Sequence, residues 1–145
     1  MQACFLPGTL ALAHHHGLSL SGKLPPKSAN EAAQPSDNIL LELAEELAYT
    51  CYLTFARQPT YLAPEITHFN SEPSSTSDFY VKPADSHYLL RPETIESLWY
   101  LYYVTGNKTY QDWGWNIFQV MNKYRRYYGF QTIFSLGNRK VYKGP

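Results

Sequence analysis

Apolar residues recur every three or four positions in four stretches of the chain. This spacing predicts four α-helices, because it places the apolar side chains on one face of each helix. Gly17 and Gly106 follow the first and third stretches, where a glycine in the left-handed conformation commonly ends a helix. The predicted helices cover residues 5–15, 38–57, 92–105 and 108–127.

Each of the three longer helices is expected to bury one apolar stripe. In the second helix the stripe consists of Leu40, Leu43, Leu47 and Cys51. In the third it consists of Ile95, Leu98, Trp99, Tyr102 and Tyr103. In the fourth it consists of Tyr110, Trp113, Ile117, Met121 and Tyr124. Asp37 or Asn38 can cap the second helix, and Asn107 can cap the fourth, through a side-chain oxygen.

Two segments between the helices lack periodicity. Residues 18–38 are polar and rich in Pro and Ser, and we expect them to form a mobile insertion. Residues 59–91 are proline-rich and should be irregular, with short extended pieces at 79–81 and 87–90. The predicted fold class is therefore all-α, with about two helical hairpins and a Pro-rich irregular connection.

Composition narrows the classes of function. The 145 residues suit one domain, and twelve basic residues balance twelve acidic ones. A net charge of +0 gives no electrostatic footprint for nucleic acid or anionic lipid. No apolar run approaches the ~20 residues that a membrane span needs. The stretch that ends at Ala13 resembles a signal peptide only faintly, because it lacks a positive n-region and Pro7 and Gly8 interrupt it.

The two cysteines, Cys4 and Cys51, each fall on the apolar side of a predicted helix. Buried free thiols and a disulfide bridge are both compatible with that placement. A bridge would close a long loop, worth about 4 kcal/mol in the chain-entropy model. It would also place the chain in an oxidising compartment.

Two short motifs each have a simpler explanation. His14, His15 and His16 could suggest a metal site, but adjacent helical residues point in different directions, so a surface run is expected. Residues 107–109 read Asn-Lys-Thr and fit the N-glycosylation sequon, or serve only as a helix cap. A Gly-rich phosphate loop, a CxxC pair and a serine nucleophile elbow are all absent from the sequence.

Glutamates near prolines are the candidate catalytic residues. Glu65 lies in APEI, and Glu93 and Glu96 lie in RPETIE, directly after Arg91. Glu93 and Glu96 fall in the first turns of a helix, where solvated acids that complement the helix dipole are common. Glycoside hydrolysis, alternatively, needs two carboxyls on either side of the scissile bond, one acid and one base. An aromatic-lined site with an arginine would suit a sugar.

Several ordered blocks of the sequence resemble glycoside hydrolase family 47, the class I α-1,2-mannosidases. The blocks are CFLPGTLAL, LAEELAYTCY, LAPEI, HYLLRPETIESLWYLYYVTG and YQDWGWNIF. The amino-acid sequence after RPE is similar to that of the family's endoplasmic-reticulum type. The resemblance implies an (α/α)7 barrel and a calcium-dependent, inverting exo-mannosidase that acts on high-mannose N-glycans of glycoproteins. It also implies the lumen of the endoplasmic reticulum or Golgi, with a type II membrane anchor in the full-length protein.

The resemblance implies roles for individual residues. The glutamate of the PE block, Glu65, is a candidate proton donor, and the glutamate of RPE, Glu93, is the favoured base for the attacking water. Arg91 and Glu96 match residues that line the floor of the pocket and contact the sugar or the calcium-bound waters. The family disulfide joins the cysteines of the CFLPG and TCY blocks, which are Cys4 and Cys51 here.

The chain also departs from the family pattern. The resemblance runs from about residue 5 to residue 124, so residues 1–127 are expected to form a partial catalytic domain and residues 128–145 a divergent tail. The threonine that binds calcium directly in the family has no counterpart here, so no metal ligand is predicted in this chain. We therefore expect a fragment, such as a gene-model or splice product, that is inactive alone. The alternative is a non-catalytic glycan-binding or quality-control protein of the same family.

Overall fold

The computed structural model describes residues 2–20, 38–72, 77–128 and 133–134. Four α-helices dominate these residues, and their bounds lie within one or two residues of those predicted. The helices are α1 (Leu6–His15), α2 (Ile39–Ala56), α3 (Glu93–Thr105) and α4 (Lys108–Tyr128). Two 3₁₀ turns lie at Gln2–Phe5, directly before α1, and at Pro83–Asp85, in the connection that leads to α3. The all-α fold class is confirmed.

Short strands occur at both predicted extended pieces of the proline-rich connection, and two further strands, at His68–Phe69 and Ile133–Phe134, were not predicted. β1 (His68–Phe69) pairs antiparallel with β2 (Phe79–Tyr80). β3 (His87–Tyr88) pairs antiparallel with β4 (Ile133–Phe134). Each strand has only two residues, so these ladders fix local chain direction and do not form a sheet layer.

Two sequence predictions fall mostly on residues that the structure does not describe. The expected insertion at 18–38 has residues 21–37 outside the described ranges, and the expected tail at 128–145 has 129–132 and 135–145 outside them. Within the described ranges, none of the helices combines the length and the apolar character that crossing a membrane requires.

Glycine and asparagine end and begin the helices largely as the sequence indicates. Gly17 and Gly106 have φ angles of 67° and 69°, and the Gly106 N–H donates to the Tyr102 carbonyl at 2.8 Å. The Asn107 Oδ1 accepts a hydrogen bond from the Thr109 N–H at 3.0 Å and so caps α4. At α2 the cap prediction is wrong for Asn38, because this residue is already helical and its side chain makes no cap hydrogen bond, and the alternative, Asp37, lies outside the described residues.

The core forms where α1 packs against α2 and α3, and where α3 packs against α4. Leu62 and Tyr88 from the irregular connection complete it and are fully buried. Ala63, also from this connection, belongs to the core as well, and the remaining members come from the four helices: Ala11, Ala44, Ala48, Phe55, Leu98, Leu101, Tyr110 and Ile117. The predicted stripe of α4 is confirmed, with Tyr110 and Ile117 at its centre.

The predicted stripe of α2 is displaced by one position. Leu40 and Cys51 are buried as expected, but Leu43 is 42% exposed. Alanines take the central positions, and Ala44 and Ala48 are the buried residues there. Small side chains allow a neighbouring helix to approach closely, and apolar periodicity alone does not distinguish such a face from an adjacent face of leucines.

The predicted stripe of α3 is wrong at two aromatic positions. Trp99 and Tyr103 are 57% and 59% exposed, and their rings stack on one another with centroids 5.7 Å apart. The buried face of α3 instead contains Thr94, Ser97, Leu98 and Leu101. The Ser97 hydroxyl is buried against the N-terminal segment, whereas the buried Thr94 hydroxyl has no hydrogen-bond partner among the described residues.

A disulfide and a serine join the N-terminal segment to the helices. Cys4 and Cys51 are bonded, with Cα atoms 5.9 Å apart, which confirms the bridge that the resemblance implied. The Ser97 hydroxyl donates to the Cys4 carbonyl at 2.6 Å and accepts from the Gly8 N–H at 2.9 Å. A Cβ on Gly8 would lie 3.1 Å from the Ser97 Cα, so only glycine permits this approach without displacement.

Candidate active site

Three of the predicted site residues come from two places in the chain. Glu65 follows Pro64 in the irregular connection, whereas Arg91 and Glu93 flank the start of α3. Leu90, directly before Arg91, has a φ of 57°, a conformation that costs a non-glycine residue about 1–2 kcal/mol. This left-handed residue separates β3 from the Arg-Pro step that opens the helix.

Arg91 and Glu65 form a side-on ion pair. The Arg91 Nε donates to both Glu65 oxygens, at 2.8 Å and 2.7 Å, and Nη2 donates to Oε1 as well. The two side chains are 25% and 17% exposed. Such a two-nitrogen contact fixes the orientation of the carboxylate as well as its position.

The same guanidinium faces Glu93. Its Nη1 lies 3.9 Å from the Glu93 Oε1, so one cation lies between two carboxylates. The Glu93 Oε2 is buried and has no hydrogen-bond partner among the described residues. Glu93 is therefore not the solvated, dipole-complementing acid of the simpler interpretation, because one of its oxygens is shielded and unpaired.

The charges of the cluster act on one another. The hydrogen bond from Arg91 lowers the pKa of Glu65 below its ordinary value, against the opposing effect of burial. The same hydrogen bond raises the pKa of Arg91. Burial, and secondarily the charge of Glu93, raises the pKa of Tyr88 to about 12, so its hydroxyl stays protonated and donates to the Arg91 carbonyl at 3.1 Å.

Backbone contacts hold Glu65 at the cluster. Its N–H lies 3.0 Å from the Asp85 carbonyl oxygen and 2.8 Å from that of His87. The Asp85 carboxylate in turn contacts the His68 Nε2 at 2.9 Å, and the His68 ring stacks on Tyr80 at 5.1 Å. His68 and Asp85 were not among the predicted site residues. An isolated histidine and an isolated aspartate in a segment without periodicity give no sequence signal of this contact.

Glu96 lies elsewhere on α3. It lines a small cleft between α1 and α3, together with Phe5, Gly8, Thr9, Leu12, Ser97 and Tyr100. The structure thus brings Glu65, Arg91 and Glu93 into one cluster and places Glu96 one turn further along the helix. The assignment of Glu96 to the pocket floor stays a prediction.

Calcium does not fit these residues as a directly bound ion. Ca²⁺ takes six to eight oxygen ligands, and the described ranges contain no group of three or more His, Cys, Asp or Glu side chains placed to hold a metal. Arg91 moreover already lies between the two carboxylates, and its positive charge would repel a second cation.

The geometry allows two chemical tasks. The unpaired Glu93 Oε2 can accept a proton or a hydrogen bond, and the Arg91–Glu65 pair can bind hydroxyl groups as donor and acceptor. Carboxylates on both sides of a cation suit a polyhydroxylated ligand.

Comparison with known proteins gives the family. The profile of glycosyl hydrolase family 47 matches residues 2–141. The chain belongs to this family. It is 51% identical over 124 residues to the endoplasmic reticulum mannosyl-oligosaccharide 1,2-alpha-mannosidase of Rattus norvegicus, covering 85% of this chain and 16% of the relative. The human protein of the same name is 49% identical over 124 residues, with 85% of this chain and 15% of the relative covered. The protein of that name from Schizosaccharomyces pombe is 40% identical over 141 residues, with 95% and 26% covered.

The matches cover only a small part of the relatives. The chain spans about a sixth of the length of the rat and human relatives. The family match continues to residue 141, beyond residue 124, where the resemblance visible in the sequence ends. The division into a partial catalytic domain and a divergent tail stays a prediction.

Proposed function

We propose that the protein to which these residues belong is an inverting exo-α-1,2-mannosidase that trims high-mannose N-glycans on glycoproteins. The main structural support is the position of the Arg91 guanidinium between Glu65 and Glu93. The chain is also 51% identical to a mannosidase of the rat endoplasmic reticulum. The names of the relatives and the Cys4–Cys51 bridge support a site of action in the secretory pathway. The proposal includes the lumen of the endoplasmic reticulum or Golgi and a type II membrane anchor.

In the proposed reaction Glu93 is the base. Its Oε2 takes a proton from a water molecule, whose oxygen bonds to C1 of the terminal mannose while the bond from C1 to the leaving oxygen breaks. A carboxylic acid on the other side protonates the leaving oxygen. Inversion at C1 follows, because the water attacks from the face opposite the leaving group. The expected carboxyl separation of about 6.5–9.5 Å leaves room for that water.

Glu65 is the candidate acid, and Arg91 opposes that role. A general acid must carry a proton, whereas the Arg91 hydrogen bond lowers the pKa of Glu65. Proton donation by Glu65 therefore requires the guanidinium to leave it when substrate binds. Otherwise Glu65 and Arg91 bind sugar hydroxyls and another carboxyl of the complete protein supplies the proton.

Calcium dependence is also part of the proposal, on the family resemblance alone. The cation would be bound by residues outside the described cluster. Within the described cluster the residues with a proposed task are Glu93, Arg91 and Glu65.

The test is mannose release from a high-mannose glycan in millimolar calcium. We expect turnover by the complete protein and a loss of roughly 10²–10⁴-fold in its Glu93→Gln variant, which keeps the side-chain size but removes the base. Glu72→Gln, at an exposed position, is the matched control and should keep full activity. The 145-residue chain alone should release no mannose. Turnover by this chain that is lost in Glu93→Gln would contradict the expected inactivity.

A second candidate is a glycan-binding, quality-control member of the family without catalysis. The observation that favours it is the ion pair that keeps Glu65 ionised. Glycan binding by the complete protein, without any mannose release and with weaker binding in Arg91→Gln, would support it over the hydrolase.

A further inference from the structure

Residues Asn107, Lys108 and Thr109 form the only Asn-X-Ser/Thr sequence in the chain. They occupy the turn between α3 and the first residues of α4. The proposed function does not use them. A three-residue match is weak by itself, so its surroundings decide whether it can be modified.

The turn presents the asparagine nitrogen to solvent. All three residues are exposed, and a Cβ on the preceding Gly106 would meet no atom within 4 Å. The Asn107 Oδ1 accepts the Thr109 N–H at 3.0 Å, whereas the Nδ2 donates to no described residue. The cap therefore uses the oxygen only, and an N-linked sugar would retain both that oxygen and one N–H.

The disulfide supplies independent information about the compartment. Cys4 and Cys51 are bonded, and disulfides persist in oxidising compartments. N-glycosylation of Asn-X-Ser/Thr occurs on proteins that pass through such a compartment. The exposed sequon and the disulfide are thus two independent features that both fit a protein passing through an oxidising compartment.

We propose that Asn107 carries an N-linked glycan. The Nδ2 attacks C1 of an oligosaccharide carried on a lipid pyrophosphate, so that a C1–N bond forms and the C1–O bond to the pyrophosphate breaks. The lipid pyrophosphate leaves with the electron pair, and the amide proton passes to a base of the transferase. No electron transfer is involved, and the glycan donor is the only co-reactant.

The position of Asn107, just beyond the C-terminal end of α3, keeps the glycan away from the candidate active site. Helix α3 has 13 residues, with Glu93 at its first position and Asn107 two residues beyond its last. At 1.5 Å per residue the helix is ~20 Å long. The attachment point is therefore at the far end of the helix from Arg91 and Glu93, and modification does not require the cluster to change.

The experiment directs the 145-residue chain into the endoplasmic reticulum of a eukaryotic cell with a cleavable signal peptide. The wild-type chain is compared with Asn107→Asp, Thr109→Ser and Thr109→Ala, before and after treatment with an amidase that removes N-glycans. Asn107→Asp keeps the capping oxygen but removes the acceptor nitrogen, so it isolates modification from helix capping. Thr109→Ser keeps the sequon, and Thr109→Ala removes it without touching Asn107.

We expect the wild type and Thr109→Ser to lose the mass of one glycan on treatment, with an Asp at position 107 in the released peptide. The other two variants should not change. A wild-type chain whose signal peptide has been cleaved but which carries no glycan would overturn the proposal, and so would a glycan that survives in Thr109→Ala. Neither result depends on mannosidase activity, so the proposed function is tested separately.

Discussion

The helical part of the molecule and the segment that holds the site are stabilised in different ways. The helices α1 to α3 share a buried core, a disulfide and the buried Ser97 hydroxyl. Residues 58–92, here called the site segment, add Leu62, Ala63 and Tyr88 to that core, but hydrogen bonds and ion pairs in their described part, among them Glu65–Arg91 and His68–Asp85, position the candidate site. Burial and the covalent bond thus maintain the frame, and polar contacts set the position of the candidate catalytic groups.

The difference predicts how the two regions respond to change. Removing a contact in the helical part should lower stability while the charges of the site stay as they are. Removing one in the site segment should alter the site charges with a smaller loss of stability, because these ion pairs keep some contact with water, which screens them. Three variants test this separation, from the largest expected effect on stability to the smallest.

The double variant Cys4→Ser, Cys51→Ser should lose about 2–5 kcal/mol of stability, because the unfolded chain regains the freedom that the bridge removes. Denaturant unfolding of the 145-residue chain measures this loss. Reductant should destabilise the wild type similarly and leave the double variant unchanged. A loss below about 1 kcal/mol would mean that packing alone maintains the helical part.

Gly8→Ala should cost about 1–3 kcal/mol, because the added Cβ would lie 3.1 Å from both Ser97 and the Tyr100 ring. Gly114→Ala is the matched control, since the same Cβ in the middle of α4 meets no atom within 4 Å. That variant should gain about 0.4–1 kcal/mol from a less flexible unfolded chain. Thermal unfolding compares the two, and shifts of Tm in the same direction would contradict the close contact at Gly8.

Arg91→Gln should change the stability least and the site most. The lowered pKa of Glu65 contributes stability that is present above its ordinary value of 4.5 and is lost as the pH falls through the folded pKa. The variant should therefore raise the pKa of Glu65, and its stability deficit should shrink as the pH drops below 4.5. Carbon NMR of the Glu65 carboxyl measures the pKa directly.

Arg57→Gln is the control for Arg91→Gln. Its ion pair with Asp78 is largely exposed, with the two side chains 44% and 79% accessible, and it joins the end of α2 to the site segment. It should leave the pKa of Glu65 unchanged. Equal effects of the two arginine variants on that pKa would show that general charge, and not the side-on contact, sets it.

The difference between the helical part and the site segment also explains which features the sequence could predict. Helix bounds followed from periodicity and from Gly17 and Gly106, since these signals are local. The buried face of α2 did not follow, because the choice between Leu43 and Ala44 depends on how closely another helix approaches. The local sequence pattern therefore predicts where a helix begins and ends better than it predicts which face of the helix packs against its neighbours.

The site was less predictable from the residues themselves. Glu65 and Arg91 lie 26 positions apart, and their contact depends on backbone hydrogen bonds in a segment without periodicity. Only the family resemblance placed them in one pocket. Ser97 was missed because its partner is a carbonyl 93 positions away, and a serine on an apolar helix carries no sign of such a partner.

The covalent ring closed by Cys4 and Cys51 has an evolutionary consequence. Residues 18–38 lie inside that ring, between two helices whose positions the bridge already secures. Doubling the length of a flexible loop costs only about 0.6 kcal/mol. Insertions and deletions between α1 and α2 are therefore nearly neutral for the fold, so this stretch can vary in length among descendants while the helices that hold the cluster stay the same.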